Sequence, residues 1–117
     1  KRLTQSPYQT LAVFYGDELC AYAIWFQLNS DEAELFNIAV NADWQGQGLG
    51  RLLLAECVKG WREQGLQQVF LEVRESNQAA IGLYQALGFE AQGVRKNYYQ
   101  TASGRENALM MVCTLSI

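Results

Sequence analysis

Gln45-Gly46-Gln47-Gly48-Leu49-Gly50-Arg51 places three glycines within five residues, at a junction between two segments of different periodicity. Residues 35–40 precede it with the apolar character of a β-strand, whereas residues 52–64 follow it with the spacing of an amphipathic helix. Such a strand–turn–helix junction is a recurring anion site, because unpaired N–H groups and the helix dipole point outward together. A plain tight turn uses glycines in the same way, so the stretch alone leaves both interpretations open.

The composition limits the size and the setting of the fold. A chain of 117 residues that is 50% apolar fits one compact domain over residues 1–117. No apolar run approaches the ~20 residues of a membrane-spanning helix, and no signal-peptide pattern is present. Cys20, Cys57 and Cys113 are widely spaced and flanked by apolar residues. They indicate core thiols in a reducing, cytoplasmic compartment and neither a disulfide framework nor a metal cluster.

The absence of histidine is the most informative feature of the composition. It excludes Ser-His-Asp and Cys-His nucleophile schemes and HExxH zinc sites. Acid–base chemistry must therefore use carboxylates, tyrosines, lysines or water. The net charge of −3 gives no support for non-specific binding to nucleic acid and mildly suits a cationic substrate. We expect no metal, no nucleic acid and no membrane among the partners.

The predicted elements follow the order β-β-β-α-β-α-β-β, which indicates an α/β protein with a mixed sheet and helices as crossovers. The second strand, residues 19–28, is apolar on both faces, which predicts a central strand covered on both sides. In the first helix, Leu52 belongs to the predicted apolar stripe. Residues 89–96 and 108–115 form the last two strands, and residues 97–107 are a polar connection between them.

Glu72 is a carboxylate inside Val69-Phe70-Leu71-Glu72-Val73, a segment that predicts a buried strand. Burial of a carboxylate is costly unless the group is paired or faces a hydrated cleft. One interpretation is a glutamate at a strand end, paired with a lysine or arginine. The other is a general base. Nearby, Asn77 follows Ser76 as a helix N-cap, and Tyr84 has the spacing of a core residue on that helix.

The glycine loop fits neither of two better-known phosphate loops. Its third glycine is one residue too early for a dinucleotide fingerprint, and no Gly-Lys-Ser/Thr follows it. Gln45-x-x-Gly48-x-Gly50 instead resembles the pyrophosphate motif of the GCN5-related N-acetyltransferases, which bind acetyl-CoA. Further segments stand in the order seen in the RimI-type, ribosomal-protein alanine N-acetyltransferases of that family: Phe36-Asn37-Ile38-Ala39-Val40, Leu71-Glu72-Val73-Arg74, Ser76-Asn77, Leu87-Gly88-Phe89, Asn97-Tyr98-Tyr99 and Gly104-Arg105-Glu106. The resemblance runs from about Leu19 to the C-terminus.

The resemblance implies the acyl-CoA N-acyltransferase fold, with a mixed, mostly antiparallel sheet and helices as crossovers. Family members carry a further strand and helices before the first hairpin, so the expectation here is an N-terminally shortened domain. The strand that begins at Leu11 and ends at Tyr15 is then an exposed sheet edge. Such an edge is open to association with another chain.

The resemblance also assigns the cofactor-binding residues. Backbone groups of Ile38, Ala39 and Val40 would pair with the pantetheine arm of acetyl-CoA, much as an added strand would. The pyrophosphate would lie on the loop residues Gly46, Gln47, Gly48, Leu49, Gly50 and Arg51. The side chain of Asn77 would reach the cofactor in addition to capping its helix. Ile38, Ala39 and Val40 remain compatible with an ordinary core strand.

Glu72 and Tyr84 are the catalytic residues that the resemblance implies. Glu72 would take a proton from the acceptor amine, directly or through water, and Tyr84 would protonate the leaving thiolate. The acetyl group would then pass directly to the amine, which is the N-terminal α-amine of alanine in a ribosomal protein. Two alternatives stay open: an acetyltransferase for lysine or small amines, and a CoA-binding module without activity. Tyr98 and Tyr99 receive no role.

Overall fold

The computed structural model describes residues 8–115. Its strands and helices are β1 (Tyr8–Tyr15), β2 (Glu18–Gln27), β3 (Glu32–Val40), α1 (Leu49–Glu63), β4 (Gln68–Arg74), α2 (Gln78–Ala86), β5 (Phe89–Thr101) and β6 (Gly104–Thr114). A short 3-10 turn at Ala42–Trp44 leads from β3 into the glycine loop. The predicted order of elements is confirmed.

The six strands form one sheet in the order β1-β2-β3-β4-β6-β5. β3 and β4 pair in parallel, and every other neighbouring pair is antiparallel. The prediction of a mixed, mostly antiparallel sheet with helices as crossovers is therefore confirmed. β1 lies at one edge of the sheet in the described residues, at the position predicted for it. Association of another chain along that edge stays a prediction.

Both helices pack on the same face of the sheet. The residues of β4 alternate in burial, so that Val69, Leu71 and Val73 face a core to which α1 and α2 also contribute. Trp61 of α1 is fully buried there, and its ring meets that of Trp25 edge-on at 5.6 Å. Such T-shaped contacts add to the apolar burial. This one-sided core fixes the positions of both helix N-termini relative to the strand ends.

The second face of β2 is not covered as predicted. Ala21, Ala23 and Trp25 are buried, whereas Ile24 and Phe26, on the opposite side, are only half-buried. The prediction of a strand covered on both sides is wrong for the described residues, because α1 and α2 lie on one side only. Apolar residues on both faces of a strand allow another element to pack on each face, but they do not show that one does.

Helix α1 also differs in its start and in its buried stripe. It begins at Leu49 and not at Leu52, and Leu52 is 59% exposed. The buried stripe consists of Leu53, Leu54, Cys57, Val58 and Trp61. The buried residues follow one another at steps of three or four along one face of the helix. Leu52 points away from that face, because it is neither three nor four residues from any of them. Gly65, with φ of +86°, ends the helix as predicted.

Residues 97–107 form a hairpin and not a connection. β5 continues to Thr101, turns back at once, and pairs Thr101 with Gly104 of β6. The register shifts near Asn97, whose φ is +55°. There the N–H of Asn97 donates to Oδ1 of Asn107 at 2.9 Å, and Arg105 donates to the Asn97 carbonyl at 3.1 Å. Hydrogen bonds from polar side chains thus replace the backbone hydrogen bonds that the register shift removes. A polar sequence can therefore form the hairpin of β5 and β6.

Candidate active site

A cleft opens where β3 and β4 diverge. The two strands pair at only three positions, Glu32 with Gln68, Ala33 with Val69 and Glu34 with Phe70. Beyond them β3 pairs with β2 alone in the described residues, so its other edge offers backbone groups to a ligand. The cleft has a volume of about 310 Å³ and is lined by β3, β4, α2 and β5. The resemblance to the GCN5-related N-acetyltransferases implies two parallel strands that diverge, with the thioester in the opening between them.

The glycine loop turns from the end of β3 into α1 through left-handed backbone. Gly46 and Gly48 have φ of +79° and +77°, where an L side chain is strained. Gly48 is the N-cap of α1 and makes no side-chain cap bond, so the first N–H groups of the helix are available to an anion. A Cβ at either glycine would meet no atom within 4 Å, so the space before them is open. The geometry fits a pyrophosphate.

The loop and α2 enclose a cavity of about 410 Å³. Gly50 faces the strand end and α2, since a Cβ there would lie 3.4 Å from Cγ2 of Val40 and 3.7 Å from Cδ2 of Leu83. Gln45 ties the loop to the strand end, because its Nε2 donates to the Val40 carbonyl at 2.9 Å. Of the predicted cofactor residues, those lining this cavity are Val40, Gly46, Gly48, Leu49 and Gly50. Ile38 and Asn77 line the adjoining cleft.

Three predicted cofactor residues lie outside both cavities. Gln47 and Arg51 are exposed, and Ala39 is half-buried. Arg51 lies in the first turn of α1. Ala39 still lies between Ile38 and Val40 on β3, so its backbone belongs to the same strand edge. All three residues stay predictions.

Trp44 is a residue of the loop that sequence reasoning missed. It lines the loop cavity, its indole N–H donates to Oε2 of Glu18 at 3.0 Å, and its ring lies 5.5 Å from that of Tyr15. These contacts anchor the start of the loop to the first hairpin. The sequence held one signal, a large aromatic residue immediately before a glycine-rich turn.

Glu72 lies between two cavities. Its side chain is 22% exposed and lines both the cleft and a second cavity of about 260 Å³ on the sheet face opposite the helices. Oε2 lies 3.1 Å from Nε of Arg95. The two atoms are within ion-pair distance, yet Oε2 is buried and accepts no hydrogen bond within residues 8–115. Glu72 is therefore paired with an arginine, as one interpretation predicts, and it also faces a cleft. Its role as a general base stays a prediction.

Tyr84 combines packing with access to the cleft. It is 8% exposed, its ring lies 5.7 Å from that of Phe89, and it lines the cleft together with Glu72. Burial, and then the charge of Tyr99, raise the pKa of Tyr84. Its hydroxyl is therefore protonated at neutral pH, as a group that donates a proton must be.

Tyr99 lines the same cleft, although no role is assigned to it from the sequence. Burial, and then the charge of Glu72, raise the pKa of Tyr99. The guanidinium of Arg74 lies 4.4 Å from the centroid of its ring. The position of Tyr99 depends on the register shift after Arg95, which no periodicity in the sequence predicts. Strand alternation alone would not have found it.

A chain of polar contacts joins β4, β6 and the start of α2 at the mouth of the cleft. Arg74 lies 3.5 Å from Glu106, which accepts a hydrogen bond from the N–H of Ser76 at 2.7 Å. Hydrogen bonds from Ser76, and then the contact with Arg74, lower the pKa of Glu106. Asn77 accepts from the N–H of Ala80 at 3.2 Å, which confirms the predicted N-cap. The contacts hold the N-terminus of α2 against the strand that carries Glu72.

Neither a metal centre nor a membrane span is found in the part of the chain that the structure describes. Residues 8–115 hold no group of three or more potential metal ligands of the His, Cys, Asp and Glu types. Neither of their helices has both the length and the apolar character needed to cross a bilayer.

Comparisons with known proteins agree on one family. The model of the acetyltransferase (GNAT) family matches residues 1–89. The chain is 46% identical over 110 residues to the ribosomal protein bS18-alanine N-acetyltransferase of Salmonella typhimurium, an alignment that covers 94% of this chain and 74% of that protein. Identity to the enzyme of the same name from Escherichia coli is 44% over the same shares.

Solved structures give the same picture. The crystal structure of the ribosomal-protein-S18-alanine N-acetyltransferase from Escherichia coli has a TM-score of 0.90 at 42% identity, covering 97% of this chain and 73% of that one. A GNAT family acetyltransferase from Elizabethkingia anophelis, solved with acetyl-CoA bound, has a TM-score of 0.83 at 19% identity and covers 93% of this chain and 77% of that one. The second likeness supports the fold alone. The fold implied by the resemblance is thereby confirmed.

Proposed function

Because this chain belongs to the acetyltransferase (GNAT) family, and is an acetyl-CoA-dependent N-acetyltransferase, we propose that it acetylates the N-terminal alanine of ribosomal protein bS18. The observation that carries the chemistry is the cleft between β3 and β4, which brings Glu72 and Tyr84 together beside the open edge of β3. The acceptor is supported by the names of the relatives at 44% and 46% identity.

Acetyl-CoA binding uses backbone groups in the proposal. The open edge of Ile38, Ala39 and Val40 pairs with the pantetheine arm as an additional strand would. Gly46 and Gly48 leave room for the pyrophosphate, and the N-terminus of α1 supplies N–H groups and a favourable dipole. The bound substrate supplies a thioester, whose carbonyl is the group that an amine attacks.

Glu72 acts as the general base on the acceptor. Its carboxylate takes one proton from the α-ammonium, directly or through a water molecule, and leaves a neutral amine to attack the thioester carbonyl. An α-amine titrates near ~8 and a lysine side chain near ~10.4, so the α-amine is the easier group to deprotonate. This difference supports an N-terminal acceptor over a lysine.

Tyr84 acts as the general acid on the leaving group. As the C–S bond breaks, its hydroxyl gives a proton to the thiolate sulfur, and the attacking nitrogen loses its second proton as the amide forms, which restores the tyrosine hydroxyl directly or through water. In water a phenol near ~10 and a thiol near ~8.5 make this transfer uphill by about 2 kcal/mol. Burial raises the pKa of Tyr84, and the same desolvation raises that of a thiol bound beside it, which keeps the gap small.

Location in the cytoplasm is part of the proposal. Cys20, Cys57 and Cys113 are free and buried, as suits a reducing compartment.

Turnover on a matched pair of peptides tests the acceptor. One peptide begins with a free alanine and contains an internal lysine, and the other has the same sequence with its α-amine blocked. We expect CoA release with the first peptide and none with the second, measured with a thiol reagent and by mass spectrometry. Acetylation of the lysine in both peptides would overturn the N-terminal assignment. Tight CoA binding without turnover on either would support a CoA-binding module.

A further inference from the structure

The second cavity at Glu72 holds three charged side chains on the sheet face opposite the helices. Glu34 from β3 and Arg95 from β5 line it together with Glu72, and their apolar neighbours include Phe70 and Met110. Two carboxylates thus face one guanidinium. Burial, and then the charge of Glu72, raise the pKa of Glu34, whereas Arg95 lowers it. Arg95 therefore interacts with both carboxylates.

Arg95 is held in place from two sides. Its Nε lies 3.1 Å from Oε2 of Glu72, and its guanidinium carbon lies 4.8 Å from the centroid of the Tyr98 ring. An arginine over an aromatic face gains cation–π attraction and loses rotamer freedom. The register shift in β5 directly after Arg95 sets the direction of this segment. Arg95 is thus the cation in contact with the buried oxygen of Glu72 within residues 8–115.

We propose that Arg95 is a positioning residue for acetyl transfer, which holds Oε2 of Glu72 so that Oε1 faces the cleft and which offsets the repulsion between Glu72 and Glu34. The inference rests on the proposed role of Glu72 as the base. Oε2 is buried and lies 3.1 Å from Nε of Arg95, so Oε1 is the oxygen left to accept a proton from the acceptor. Without the ion pair, the carboxylate could rotate out of that orientation.

The charges around Glu72 determine in which direction the loss of Arg95 shifts the protonation of the two carboxylates. Glu34 faces it from β3, and Arg95 and Tyr99 face it from β5. Arg74, on the same strand as Glu72, is engaged by Glu106 and lies over Tyr99. Loss of Arg95 leaves two carboxylates in one partly buried cavity. Like charges disfavour ionisation, so the pair would titrate at higher pH and hold a proton more often at neutral pH.

Arg95→Met tests the proposal, with Arg62→Met on the exposed face of α1 as the matched control. We expect Arg95→Met to lower kcat about ten-fold or more, with the Kd for CoA unchanged. We also expect the acidic limb of kcat/KM to move to higher pH. Arg95→Lys should recover part of the rate, because it keeps the charge but not the fixed planar group. Wild-type kcat and pH profile in Arg95→Met would overturn the proposal.

A second substitution separates positioning from general damage to the fold. Glu34→Gln in the Arg95→Met background removes the repulsion that the first change exposes. We expect the acidic limb of the double variant to return toward that of the wild type. Strictly additive losses from the two substitutions would overturn the proposal, because independent structural defects add whereas a shared charge interaction does not.

A measurement without turnover keeps this inference distinct from the proposed function. Titration of side-chain carboxyl carbons by NMR follows Glu34 and Glu72 in the wild type and in Arg95→Met. We expect the pair to titrate at higher pH in the variant, and unchanged titration would overturn the inference even in an active enzyme. A wild type that turns over no α-amine peptide would instead refute the proposed function, and the NMR titration would still decide the role of Arg95.

Discussion

Gly48→Ala tests the glycine loop most directly, because its cost can be worked out from the backbone. Gly48 has φ of +77° and ψ of 12° at the start of α1, and a Cβ there would meet no atom within 4 Å. The cost is therefore conformational and not steric. An L residue in the left-handed region costs about 1–2 kcal/mol. For a domain of this size, the melting temperature should fall by roughly 4–8 °C.

Gly60→Ala is the matched control and has the opposite sign. Gly60 lies inside α1, and a Cβ there also meets no atom within 4 Å. Alanine in a helix interior is favoured over glycine by about 0.8–1 kcal/mol, so this variant should be more stable than the wild type. Urea unfolding with equal m-values measures both changes. A Gly48→Ala variant as stable as Gly60→Ala would refute the left-handed loop and, with it, the open cradle at the start of α1.

The same chemistry supports further predictions. Glu72→Gln should lower kcat at neutral pH by about 100-fold or more and leave the Kd for CoA unchanged, because an amide cannot take the proton. A wild-type pH–rate profile in this variant would show that Glu72 is not the base. Tyr84→Phe keeps the packed ring but removes the hydroxyl proton, so kcat should fall by about 100-fold while unfolding in urea is unchanged. An unaltered kcat would show that Tyr84 only packs. Hydrogen bonds from Ser76 lower the pKa of Glu106 in the folded chain, so this stabilisation is present above the ordinary carboxyl pKa and disappears as the pH falls through the lowered value. Glu106→Gln should then lose less stability than the wild type between pH 6 and pH 2 in urea titrations, and equal losses would contradict the linkage. Burial raises the pKa of Cys57 to about 12, so iodoacetamide at pH 8 should label it in urea but not in the native chain; native labelling at the rate of a free thiol, seen by mass spectrometry, would contradict its burial.

Features set by local sequence were predicted well. The glycine loop, the cap at Asn77 and the helix end at Gly65 depend on neighbouring residues and on backbone preferences that a sequence displays. The cleft residues Glu72 and Tyr84 followed from a carboxylate in an apolar strand and from the resemblance. The structure places both in one cleft, and their catalytic roles stay predictions.

Features set by cross-strand register could not be predicted. β5 contains two register shifts, and each changes which side chains face the cleft. Arg95 and Tyr99 meet Glu72 only because of those shifts, and Glu34 meets it across the short parallel pairing of β3 with β4. A period of two along a strand gives the faces of a regular ladder, but it does not show where the ladder slips.

The short pairing between β3 and β4 connects two halves of the sheet. Three residue pairs join the half of the sheet that leads into the glycine loop to the half that carries Glu72 and leads to Tyr84. The carbonyl of Asp31 reinforces this seam by accepting from the N–H groups of Gln67 and Gln68 at 2.7 and 3.2 Å. The proposed cofactor loop and the proposed base therefore lie on separate halves of the sheet, and their alignment depends on this short pairing. We expect that disruption of the pairing between β3 and β4 would leave acetyl-CoA binding intact but would misalign the thioester relative to Glu72.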